Sequence, residues 1–154
     1  MQSSYPNMYG RYRRSSGMTQ EKAAELLGVS PGTVKGWEAG AFLPPDNKVL
    51  MMVDVYQAPT LAIEHLRSRS AMAAELLPEV EQRSLPEAAL GLLAAIREFE
   101  VNESDLELMK IAADGKVSGD EKKRYGFIMS KLMDIVDSAM ELRMSTWGWD
   151  NATD

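Results

Sequence analysis

The sequence predicts an all-α protein, and three observations carry that prediction. Apolar residues recur at steps of three and four through most of the 154 residues, and no segment alternates with period two for long enough to make a strand. Residues that begin helices punctuate these runs: Thr19, Ser30, Ser84 and Ser118, the last two with a glutamate three positions on. Gly17, Gly28, Gly40 and Asp114-Gly115 stand where helices end. The expected layout is four or five short helices in residues 1–70, a partly helical linker at 71–83, about three helices in 84–146, and a tail at 147–154.

Taken in order, residues 8–16 read as a first helix with Tyr9 and Tyr12 or Arg13 inward, stopped by Gly17. Thr19 to Gly40 then reads as two short helices about a tight turn, a helix-turn-helix. Ala23, Ala24 and Leu27 supply the inward face of the first, and a small residue at Ala24 lets the two helices approach. Ser30 caps the second, Pro31 sits at its first position, where a missing N–H is harmless, and Val34 and Trp37 bury its inner face. Pro44-Pro45 make a loop; Asp46 or Asn47 is expected to cap a fourth helix with Val49, Leu50, Val53 and Tyr56 at helical spacing. Pro59-Thr60 opens a further pattern through Leu61, Ile63 and Leu66, either a fifth core helix or a bridge.

Beyond Pro78, which breaks the helix-forming run of residues 71–77, a capping box of Ser84 and Glu87 precedes an apolar face of Ala88, Leu92, Ala95, Ile96 and Phe99. Asn102 and Asp105 are expected to cap a shorter helix through Leu106, Met109, Ile111 and Ala112. A second box, Ser118 with Glu121, opens a long helix to about Met144. Its stripe of Tyr125, Ile128, Leu132, Ile135, Ala139 and Leu142 has the spacing of a helix that lies along another for most of its length, and these six are the expected dimerisation residues. Met129, Met133, Met140 and Met144 suit either core or an adaptable partner groove.

Composition narrows the function classes. With 45% hydrophobic residues the chain is not disordered throughout, and no apolar run reaches bilayer length. The first fourteen residues do not look like a secretory signal. The absence of cysteine excludes a disulfide framework and a thiolate zinc site and fits a reducing cytoplasm. One histidine, His65, makes a metal site or a histidine triad a poor reading, and residues 114–121 lack the ligand spacing of a calcium loop. Neither catalysis, a cofactor nor a metal is expected. The net charge of −6 is uneven: residues 1–70 hold eight Lys and Arg against six Asp and Glu, the remainder nine against seventeen. A basic head on an acidic body suits modest, salt-sensitive phosphate binding by the head.

Arg13 four before Gly17, Thr19-Gln20, Ala24, Gly28-Val29-Ser30, Val34 and Trp37-Glu38-x-Gly40 resemble the DNA-binding domain of Cro and lambda-repressor-like regulators, the Xre family. The resemblance implies a lambda-repressor-like domain of four or five helices, a structural ion pair between Arg13 and Glu38, and sequence-specific binding of double-stranded DNA as a homodimer. Residues 77–143 are similar to a C-terminal extension of some such regulators, a likeness that implies no function for it. In this motif class the second helix lies in the major groove. The match therefore places Gln20 where the family contacts the DNA backbone and assists a base-reading side chain, Ser30, Thr33 and Lys35 at the groove and Arg14 and Lys22 at phosphates, each with solvated surface as its alternative. The positions where the family carries long polar base readers hold Pro31, Gly32 and Gly36, none able to make a bidentate base contact. Either the helix approaches closely and reads backbone, thymine methyl and groove shape, or sequence reading is lost. The competing function is a protein-interaction or antitoxin-like module with a vestigial helix-turn-helix and an unknown protein partner.

Overall fold

The structure, a computed structural model, describes residues 7–148, and the regular elements among them are all helices. Two compact units divide it, one formed by the residues up to Gln82 together with Trp147 and Gly148, the other spanning Arg83 to Thr146. No helix of the described residues is long and apolar enough to cross a membrane.

The first unit holds α1 (Met8–Ser15), α2 (Gln20–Leu27), α3 (Pro31–Glu38), α4 (Asp46–Tyr56), α5 (Thr60–Arg69) and α6 (Ala71–Leu76). Its core gathers Tyr9 from α1, Ala23, Ala24 and Leu27 from α2, Val34 and Trp37 from α3, and Val49, Met52, Val53 and Tyr56 from α4, closed by Ala58 and Leu61. The first three helices end alike. Gly17, Gly28 and Gly40 take φ of 73°, 64° and 71°, and the N–H groups of each glycine and of the residue after it return to carbonyls of the last turn. Helix α5 completes the core rather than bridging away from it, packing on α1 and α4 with Leu61 fully buried. Helix α6 packs on α5.

One expected cap is absent from this unit. Asp46 is the first residue of α4, behind Pro45, and α4 has no side-chain cap. The Asp46 carboxylate faces α5, accepting from Arg69 Nη1 at 2.6 Å and lying 3.2 Å from His65 Nε2. His65 is buried, and its Nδ1 is 2.8 Å from the Tyr9 hydroxyl. Because a carboxylate only accepts, Nε2 donates to Asp46, and the other ring nitrogen is hydrogen-bonded to the Tyr9 hydroxyl. The lone histidine is thereby a core group tying α1, α4 and α5 together.

The second unit holds α7 (Leu85–Val101), α8 (Ser104–Ala112) and α9 (Lys122–Ser145), with α7 packed along α9. Glu87 accepts from the Ser84 backbone and hydroxyl, and Glu121 does the same for Ser118, although α9 starts only at Lys122. Glu103, at φ 51°, precedes α8 without a side-chain cap; Asn102 ends α7 and bonds back to the Glu98 carbonyl, so neither it nor Asp105 caps α8. The inward face of α8 is Ser104 and Ile111, while Leu106 and Met109 are exposed. In the α9 stripe Ile128 is completely buried and Tyr125, Leu132, Ile135 and Leu142 partly so; Ala139 is exposed. A residue buried within one chain cannot also face a second copy, so Ile128 is removed from the expected dimerisation set and belongs to the core of this unit. Trp147 is exposed; Trp149 lies outside the described residues.

Candidate nucleic-acid interface

Local chemistry sets the pose of α3. Ser30, in an extended conformation, accepts at its hydroxyl from the Thr33 N–H at 3.1 Å, and Pro31 occupies the first turn. Thr19 caps α2 in the same way through the Lys22 N–H, 3.1 Å away. Between them Gly28 turns the chain in a left-handed conformation, with Val29 tucked against the core. The Lys48 ammonium donates to the Leu27 carbonyl at 2.5 Å, a C-terminal cap from α4 that its basic charge alone did not reveal.

Underneath, a polar hub holds α1, α2 and α3 together. Arg13 donates through Nε to Glu38 Oε1 at 2.5 Å and through Nη2 to Oε2 at 3.0 Å, a bidentate pair, and its Nη1 reaches the Met18 carbonyl. Both side chains are about nine-tenths buried. Gln20 Nε2 adds a bond to Glu38 Oε2 at 2.9 Å. Burial pushes the Glu38 carboxyl up, but the bonds from Arg13 and Gln20 and the charges of Arg13 and Arg14 outweigh it and hold it below its ordinary 4.5. Gly10 of α1 makes room for this carboxylate: a Cβ there would stand 3.0 Å from Glu38 Oε2. That requirement was hidden in the sequence, since it arises from a contact across 28 positions.

The outer side of α3 is small and shallow. Pro31, Gly32 and Lys35 are exposed, and Thr33 is half-buried, its hydroxyl 2.9 Å from that of Ser30. Gly36, by contrast, is partly covered because the ring of Phe42 lies on it. Of the flanking residues, Arg14 and Lys22 are exposed, and Lys22 pairs with Glu25 at 3.0 Å. Gln20 differs from the rest: one of its amide hydrogens is committed to Glu38, which leaves its carbonyl oxygen and second N–H for any other contact. Ser30, Pro31, Gly32 and Lys35 therefore share one open surface with Thr33 at its margin, while Gln20 belongs equally to the hub beneath.

Among the described residues no group of three or more His, Asp or Glu is placed to hold a metal ion. A recess of about 290 Å³ beside α8 and α9 is walled by Leu108, Ile111, Ala112, Val117 and Tyr125, with Lys116 at its edge, and brings no carboxylates together.

Comparison with known proteins bears on the same stretch. A family model described as a helix-turn-helix domain matches residues 10–66, which run from α1 into α5. No curated protein and no solved structure matches the chain. With the fold, this match makes the first unit a helix-turn-helix domain and supports a DNA-binding role for it.

Proposed function

We propose that this chain is a sequence-specific transcriptional regulator of the Xre, Cro and lambda-repressor-like type, acting as a repressor in the cytoplasm and without catalytic activity. Residues 1–70 are the reading domain, residues 84–146 the dimerisation domain. The observation that carries the reading is the exposed outer side of α3 with a fixed inner side: Val34 and Trp37 are buried, Ser30 and Gly28 set the start of the helix, and Pro31, Gly32 and Lys35 face outward. That is the geometry by which a second helix of this motif lies in a major groove.

A second copy is the occupant favoured for the exposed face of α7. In residues 83–146 the buried apolar side chains are Ala88, Ile111, Ile128 and Met144, too few for a unit of this size to bury an ordinary share of its surface. Meanwhile Leu90, Leu93 and Val101 are 68%, 63% and 66% exposed, and all three lie on one side of α7 with Arg97 among them. Two antiparallel copies of this face set Leu90 of each against Val101 of the other, the self-complementarity a two-fold interface requires. Two linked reading domains also double the groove contacts, which one short helix cannot supply alone.

Electrophoretic shift and footprinting with the full chain test the reading, using genomic fragments that include the DNA upstream of its own gene. Protection of a two-fold site, with half-sites about 34 Å apart, is the expected result. Equal binding to every fragment, or none, overturns it in favour of a protein-interaction module.

A further inference from the structure

The outer side of α3 carries an aromatic ring that α3 does not itself supply. Gly36 follows Val34 by two residues and so points about 200° around the helix axis from it, toward the side where Gly32 and Lys35 are exposed. A Cβ at Gly36 would stand 2.4 Å from Cε1 and 2.6 Å from Cζ of Phe42. The ring thus occupies the space a side chain at position 36 would fill. The route is set by the helix end: Gly40, at φ 71°, donates to the Trp37 carbonyl and Ala41 to the Gly36 carbonyl, which turns the chain back over α3 and delivers Phe42 onto it. Phe42 remains 50% exposed, and Leu43 beside it is 56% exposed.

An exposed phenylalanine held on the groove side of a reading helix is a base-contacting group of a particular kind. It makes no hydrogen bond, so it cannot select guanine, cytosine or adenine by their polar edges, but an apolar side chain packs against the C5-methyl of thymine. The neighbouring positions agree with that chemistry. Pro31 and Gly32 offer no long polar reader, Gly32 permits close approach, and Lys35 supplies a positive charge on the exposed side of the same helix. We propose that Phe42, seated on Gly36, is a specificity-determining residue that recognises thymine methyl groups in the major groove. The inference rests on the DNA-binding reading above and gives Gly36 a meaning separate from it: the glycine accommodates the ring rather than the DNA backbone.

The probe is a duplex selected by the full chain from a random 30-base-pair pool, remade with uracil in place of each thymine in turn, which removes only the methyl group. Wild type is expected to lose about four-fold in affinity per contacted methyl, the factor of one buried methylene-sized group, at one or two positions in each half-site. Phe42→Ala is expected to bind the thymine and uracil duplexes alike, and Gly36→Ala, which pushes the ring away without altering it, to do the same; Phe42→Leu retains part of the discrimination. Gly36→Ala also serves if Phe42→Ala does not fold. Wild type indifferent to every uracil, or both variants as methyl-sensitive as wild type, overturns the proposal while leaving DNA binding intact. Failure to select or bind any duplex overturns the regulator reading, and this inference with it.

Discussion

Arg13 and Glu38, 25 positions apart in sequence, meet in a two-bond contact of 2.5 and 3.0 Å that joins the first and third helices. With Gln20 on the same carboxylate, three helices share one polar centre beneath the outer face of α3. Removing one partner leaves a nearly buried charge uncompensated. Arg13→Ala is expected to destabilise the first unit by about 3–5 kcal/mol, measured by urea denaturation followed by circular dichroism. Lys22→Ala breaks the exposed pair with Glu25 and shifts stability by less than about 0.5 kcal/mol. Equal effects from the two substitutions contradict a structural role for Arg13.

Acid should act on the same centre. The folded value of Glu38 lies below its ordinary 4.5, so the stability it contributes is complete above that value and is lost as pH falls through the folded one. The pH dependence of wild-type stability is therefore expected to steepen below about 4.5. Glu38→Gln is less stable at neutral pH and flatter in that acid range. Some slope persists in the variant, because the bond from His65 and the charge of Arg69 hold Asp46 below its own ordinary value as well. Urea midpoints from pH 7 to pH 3 for both proteins decide the matter, and parallel profiles exclude Glu38 as a source.

Lys35 projects from α3 beside the exposed glycine Gly32 and takes no part in the core. Lys35→Glu is expected to weaken DNA binding by about tenfold or more while helical content and oligomeric state stay unchanged. Lys35→Ala should also lower the slope of log affinity against log salt by about one, the signature of one lost phosphate contact. Fluorescence anisotropy at several salt concentrations reads both effects, and an unchanged slope removes Lys35 from the interface.

Two sets of apolar residues in the second unit should respond differently to charge. Leu90→Glu with Leu93→Glu alters residues 68% and 63% exposed and is expected to give a monomer that keeps its helices at lower stability than the dimer. Ile128→Asp places a charge at a fully buried position and is expected to unfold the unit, with a loss of more than about 3 kcal/mol. Sedimentation with circular dichroism separates these outcomes. A dimer that survives the double substitution places the two-fold contact elsewhere.

What the sequence determined about this protein is what acts over a few residues. Thr19, Ser30, Gly17, Gly28 and Gly40 set helix starts and stops because caps and left-handed turns are made within one turn of chain, and the buried faces of α2 and α3 follow from spacing alone. Groups whose partners are distant were decided only by the tertiary structure. Asp46 reads as a cap until α5 brings His65 and Arg69 to it; Gly36 reads as bare helix until the loop lays Phe42 on it; and Ile128 of the α9 stripe reads as a residue facing a second copy until the assembled unit buries it. In each case a side chain able to serve locally, or an apolar face able to pack on any partner, was claimed by a contact that exists only once the helices are assembled.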